Sequence, residues 1–220
     1  MIHNWEKALG RPLDCESSPL ARPIANDGAE ANQLVRSFFT EAKRLLKPGS
    51  CCCCCCCGGG GPDPQFARWS LWLDEVLDFK QMVIWDKGPM GMGWHYRRSY
   101  ETVLVAYKPG AACKWYDETN AVENILRAGA VPKIIPAAAQ HPTEKSPLLA
   151  EHFIHLHTKP GDIVLDPFAG SGSTLDAANR TRRQWIGIEL DPQFHAMAQD
   201  RMRRSIILPP EEALKEGRLF

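Results

Sequence analysis

The sequence has no charge of either sign in excess, no long hydrophobic run and no scatter of cysteines from which a disulfide framework could be built. Among 220 residues, 26 basic side chains offset 26 acidic ones. That balance removes a global attraction to nucleic acid or anionic membrane and leaves any such contact to a local patch. No apolar stretch approaches the roughly 20 residues that span a bilayer, and no basic segment followed by an apolar one opens the chain. A cytoplasmic protein without membrane contact is expected. Hydrophobic residues make up 44% of the chain, enough for one sizeable core, so a single domain over residues 1–220 is expected.

What is present is unevenly placed. Seven of nine cysteines stand side by side at 51–57, the others being Cys15 and Cys113. Immediate neighbours cannot form an ordinary disulfide framework. A metal cluster is disfavoured as well, because successive side chains of an extended chain point to opposite faces and no four thiolates converge on one ion. The run is expected to be a short strand of small, buriable side chains, buried on both faces and central in a parallel sheet.

Residues 1–28, with prolines at 12, 19 and 23, show no sustained period and are expected to be irregular. Ala31, Leu34, Val35, Phe38, Phe39, Ala42, Leu45 and Leu46 then recur at spacings of three and four, and Pro48-Gly49 ends the pattern, which predicts an amphipathic helix. Asp63-Pro64 reads as a helix start, with Phe66, Trp69, Leu73, Val76 and Leu77 as its apolar face. Strands are predicted at 81–86 and 101–107, separated by a loop rich in glycine. Residues 109–140 read as a short, partly irregular insertion. From Ser146-Pro147 a helix runs to Lys159-Pro160-Gly161. Strand 162–166, a glycine loop, helix 175–182, strand 184–190 and a helix capped by Asp191-Pro192 complete a βαβα order.

The stretch VLDPFAGSGST delivers Asp166 into a loop holding Gly170 and Gly172, with Glu189 about 20 residues on, a pattern suited to the two hydroxyls of a ribose. A nucleoside triphosphate calls for a lysine after the second glycine, and a dinucleotide for a third glycine where Leu175 stands. Asp166 and Asp176 further disfavour an anionic phosphate between them. S-adenosyl-L-methionine, with its ammonium, sulfonium and ribose diol and no phosphate, fits acids at 166 and 189 together with loop amides.

HPTEKSPLLAEHFIHLHTKPGDIVLDPFAGSGST, residues 141–174, resembles the DNA amino-methyltransferases that modify adenine N6 or cytosine N4. The likeness is to their circularly permuted group, whose cofactor loop lies near the C-terminus. It rests on His141, Pro142, Lys145, Pro147, Asp166, Phe168, Gly170, Gly172 and Thr174. PIANDGAEANQLVRSFFTEAKRLLKPG and GWHYRRSYETVLVAYKPG extend it upstream. The resemblance implies an α/β, Rossmann-like methyltransferase fold in permuted order, with a mostly parallel central sheet and helices on both faces. It also implies cofactor contacts from Lys145, Ser146, Asp166, Phe168, Ala169, Gly170, Ser171, Gly172, Thr174 and Glu189, within a cofactor-binding part at 141–206. Trp94, His95, Tyr96, Arg97 and Arg98 combine aromatic faces with cations and are candidates for stacking a flipped base and holding phosphate. The segment 109–140 is the candidate for target recognition.

One feature of the family does not occur: no [D/N/S]-P-P-[Y/F/W] tetrapeptide, which accepts the target amine, is found in the 220 residues. Asn26 and Asp27 read as caps of the first helix, or as lining of the cofactor pocket, rather than as substitutes, so no catalytic residue is assigned. His152, His155 and His157 lie close to Glu151, but H-E-x-x-H is absent and no metal is expected there. The expectation is a site-specific DNA methyltransferase in a restriction-modification or phage-like setting, acting on double-stranded DNA. A catalytically incomplete cofactor- or DNA-binding chain is the alternative, a homodimer remains open, and an RNA or protein acceptor is a weaker rival.

Overall fold

A computed structural model describes residues 30–56, 65–88, 99–127, 145 and 147–207. The first element, α1, runs Glu30–Leu45 as the apolar spacing predicts and is followed by β1, Cys51–Cys56. Gly49, between them, turns at φ +77°, and a Cβ there would stand 2.3 Å from the Ala112 carbonyl oxygen. Its amide donates to the Lys108 carbonyl at 2.9 Å and its carbonyl accepts from Lys114 at 2.9 Å, so only glycine fits this crossing of two chain segments.

Helix α2, Phe66–Asp74, precedes β2, Asp78–Asp86, which pairs antiparallel with β3, Tyr100–Tyr107. β4, Ile125–Arg127, adds in parallel to β2, giving the order β1-β3-β2-β4. β3 alternates within this sheet. Leu104 and Ala106 join Phe39, Ala42, Cys52, Trp69, Leu73 and Leu77 beneath α1 and α2. Val103, Val105 and Tyr107 join Val83 and Phe153 on the other face, under α3, which spans Pro147–His157. The period of two explains why this strand is buried on both sides.

The second sheet pairs β5, Ile163–Asp166, in parallel with β6, Gln184–Gly187; α4, Ser173–Arg180, connects them and α5, Pro192–Arg204, follows. Asp191 caps α5 by accepting from the amides of Gln193 at 2.7 Å and Phe194 at 3.4 Å, as Asp191-Pro192 predicts. The two sheets share no ladder among the described residues, yet helices lie against both. Phe153 and Ile154 of α3 pack on β3 and on Val164 of β5 respectively. Phe39 of α1 belongs to the β3 core while its neighbour Phe38 meets the Phe168 ring, centroids 5.5 Å apart.

Several expectations are corrected. The described sheets are mixed, with β1–β3 and β2–β3 antiparallel and β2–β4 and β5–β6 parallel, because β2 runs into β3 without a crossover helix. Among the described residues β1 is not central: it ends its sheet, antiparallel to β3, and Cys53 is exposed. A short apolar run does not by itself distinguish an inner from an outer strand. β4 arises inside the segment read as irregular. β6 stops at Gly187, three residues before Leu190. The Asp63-Pro64 and Ser146 caps lie outside the described residues, and α2 starts at Gln65 without a side-chain cap.

Candidate functional site

The turn after β5 is shaped by glycines and closed by a carboxylate. Asp166 ends the strand and its Oδ1 accepts from the Phe168 amide at 3.0 Å. Gly172 adopts φ +83° at the start of α4, and a Cβ there would lie 3.0 Å from that of Ala198. Across the turn, Glu189 accepts from the Gly170 amide at 2.7 Å through Oε2 and from the Asp191 amide at 2.9 Å through Oε1. The Ala169 amide donates to the Ile188 carbonyl at 2.9 Å and the Ile188 amide to the Asp166 carbonyl at 3.0 Å. These bonds continue the β5–β6 pairing past the strand ends and set Glu189 beside the loop.

Gly187 lets the layers close, since a Cβ there would stand 2.4 Å from Leu175 Cδ1. Ala169, Ser171 and Ser173 are buried, whereas Phe168 is exposed and held edge-on against Phe38 of α1. Asp176, next in the helix, accepts from the Ser205 hydroxyl at 2.5 Å, and Ser205 in turn accepts from Asn179 at 2.9 Å, which ties the end of α5 to α4.

Electrostatics favour a ligand with positive charge. Burial raises the Asp166 carboxyl above its ordinary range; hydrogen bonds from Thr174 and Phe168 oppose this, and the nearby Glu189 charge adds to it. No lysine or arginine occurs between residues 166 and 179. A cation arriving near Asp166 would therefore stabilise its ionised form, while a phosphate would meet two acids. The chemistry of this donor set fits the ammonium and diol of S-adenosylmethionine.

The loop residues predicted from sequence, Asp166, Phe168, Ala169, Gly170, Ser171, Gly172 and Thr174, are brought together with Glu189. Lys145 is engaged elsewhere, 3.0 Å from Glu101, a β3 carboxylate that also takes Lys87 at 2.7 Å. Ser146 and the five candidates Trp94, His95, Tyr96, Arg97 and Arg98 lie outside the described residues, as do His141, Pro142, Asn26 and Asp27. Sequence reasoning missed Phe38, whose helical period marks it only as core, and Arg183. The buried Arg183 donates from Nε to Thr158 Oγ1 at 3.0 Å, from Nη1 to the Thr181 carbonyl at 2.6 Å and from Nη2 to the Thr158 carbonyl at 2.8 Å. It locks the end of α3 to the start of β6. No described helix is long and apolar enough to cross a membrane.

Known proteins resemble this chain. M2.DpnII, a type II methyltransferase of Streptococcus pneumoniae, is 31% identical over 117 residues, 49% of this chain and 44% of that protein. YhdJ, a DNA adenine methyltransferase of Escherichia coli K12, is 40% identical over 75 residues, 34% of this chain and 26% of that protein. The matched region thus spans less than half the length of these relatives. The crystal structure of an M1.HpyAVI–SAM complex superposes with a TM-score of 0.65 at 28% identity, covering 78% of this chain and 83% of that one. The DNA methylase family model for N6 and N4 methyltransferases matches residues 25–200, and the chain belongs to that family.

Proposed function

We propose that this chain is a single-domain, circularly permuted methyltransferase body that binds S-adenosylmethionine and serves methyl transfer to adenine N6 or cytosine N4 in double-stranded DNA. The observation that carries the reading is the Glu189 carboxylate, 2.7 Å from the Gly170 amide, across a loop opened by the half-buried Asp166 and free of cations. When bound, S-adenosylmethionine supplies an electrophilic methyl on a sulfonium. Asp166 meets the ligand's positive charge, Glu189 accepts from the ribose diol through its remaining lone pairs, and the turn at residues 168–174 lines the ligand. Phe168 shields that ligand on the α1 side. Lys145, on exchanging its Glu101 partner, and Ser146 are proposed as further cofactor contacts, and Trp94, His95, Tyr96, Arg97 and Arg98 are proposed to contact the extruded base and its phosphates.

A second reading, a chain that binds cofactor without completing the reaction, is favoured by the lack of any [D/N/S]-P-P-[Y/F/W] tetrapeptide in the sequence. Calorimetric titration with S-adenosylmethionine, ATP and NAD tests the site. Binding of S-adenosylmethionine alone is expected, weakened at least tenfold in Asp166→Ala, and preference for either phosphate ligand overturns the assignment. Labelled methyl transfer to unmethylated DNA, followed by nucleoside analysis, then separates the two readings. Incorporation names the base, and cofactor binding without incorporation favours the second.

A further inference from the structure

We infer that Cys51, Cys53 and His157 form a binding site for a thiophilic divalent cation of the zinc type, with a fourth coordination position open to solvent. The two Sγ atoms are 3.2 Å apart, and one donor atom from each of the three residues lies within 4.8 Å of the others. Ligand atoms around a tetrahedral zinc ion, at bonds of about 2.3 Å to sulfur and 2.0 Å to nitrogen, stand roughly 3.5–3.8 Å from one another. Small movements of three side chains therefore suffice.

The fold explains the convergence. Alternation along β1 does keep four successive thiols from one ion, but it places positions 51 and 53 on the same face. That face is the one on which Cys51 packs beside Val105, Tyr107 and Phe153. Tyr107 is the cross-strand partner of Cys51, and His157 is the last residue of α3. The His157 ring is held in place by Tyr107 Oη, 2.8 Å from Nδ1, with the Lys114 carbonyl oxygen 3.4 Å from the same atom. Metal-binding imidazoles are commonly oriented by such a partner at one ring nitrogen. His157 is buried, Cys51 half-buried and Cys53 exposed, so the cluster opens to solvent on one side and has an entry path.

The donor set selects the ion. Two thiols and an imidazole suit zinc and other soft or borderline cations, and the absence of a carboxylate from the trio disfavours calcium and magnesium. A Cys51–Cys53 disulfide is a poor alternative, because residues two apart on an extended strand have Cα atoms roughly 6.6 Å apart, near the upper limit for a bridge. The bound ion would fasten β1, the end strand of its sheet among the described residues, to the end of α3, just before the chain enters β5.

The test uses the full chain, purified under reducing conditions and freed of metal. Zinc titrated against a chromophoric chelator is expected to bind at one equivalent. At about 100 times its dissociation constant it should raise the Tm by roughly 5–10 °C. Cobalt(II) should give thiolate-to-metal charge-transfer absorption. On the wild-type chain, zinc should slow alkylation of Cys51 and Cys53 at least tenfold relative to the exposed Cys113, read by peptide mass mapping. Cys53→Ser and His157→Ala should each weaken zinc at least tenfold, while Cys54→Ala, on the opposite face of β1, retains it. The inference is overturned if the wild type takes up no zinc, if labelling of Cys51 and Cys53 is unaffected, or if Cys53→Ser and His157→Ala bind as the wild type does.

Discussion

The two sheets of this protein are held by different means. In the β1–β4 sheet, β3 is buried along nearly its whole length, and Leu104 is fully buried between the helices and the strands beside it. In the β5–β6 sheet, Leu165 is 40% exposed, Ile163 58% and Ile186 51%, so apolar burial covers mainly one face, through Val164 and the α3–α4 cluster. There the shape comes from glycines that admit close neighbours, from Glu189 and from the Arg183 network. Stability is concentrated in one half and the proposed S-adenosylmethionine site lies in the other, and the second half resists deformation through directional bonds rather than through a deep core.

The largest effect should come from Leu104→Ala, which opens a cavity in the first sheet and is expected to cost about 3–4 kcal/mol in denaturant unfolding. Leu165→Ala in the second sheet should cost under about 1 kcal/mol; similar losses at the two positions would break the contrast. Arg183→Met should follow, at roughly 2–3 kcal/mol, because it strands the carbonyls of Thr158 and Thr181 within a buried network. A loss close to zero would show that this half does not depend on that network. Gly172→Ala, straining a positive φ against Ala198, should destabilise by about 1–3 kcal/mol and weaken S-adenosylmethionine further than its stability loss alone accounts for.

The smallest effect concerns Asp166. Its carboxyl is raised by burial, so the folded state holds a proton more tightly than the unfolded one, and the resulting penalty is present above the folded pKa and absent below the unfolded pKa. Asp166→Asn should therefore raise the ligand-free Tm slightly at neutral pH, with the gain disappearing as pH falls below the ordinary carboxylate range. The same variant should bind S-adenosylmethionine more weakly, and a variant that lost Tm while keeping the ligand would reverse the assignment of Asp166 to the ligand site.

Much of the site was legible because its signals are local. Asp166, Gly170, Gly172 and the Asp191-Pro192 cap sit within one turn of the structures they specify, and the spacing to Glu189 reflects one helix and one strand between two sheet ends. The Glu30–Leu45 helix was legible from periodicity for the same reason. Pairing direction was not, since the period of β2 and β3 is identical in parallel and antiparallel ladders. The three-residue β4 is too short to show a period at all. Cys51 and Cys53 meet His157 only through the packing of α3 on β3, a contact separated by about a hundred residues that no spacing within the cysteine run could announce.

Glu189 holds the loop with both carboxylate oxygens, which accept from the amides of Gly170 and Asp191. The ordering of that turn is consequently a cost met during folding, and a ligand that donates a hydrogen bond to Glu189 shares an acceptor already held in place. Arrival at this site adds a partner to a frame the chain's own bonds hold, for which the expected kinetic signature is single-step association without a slow closing phase.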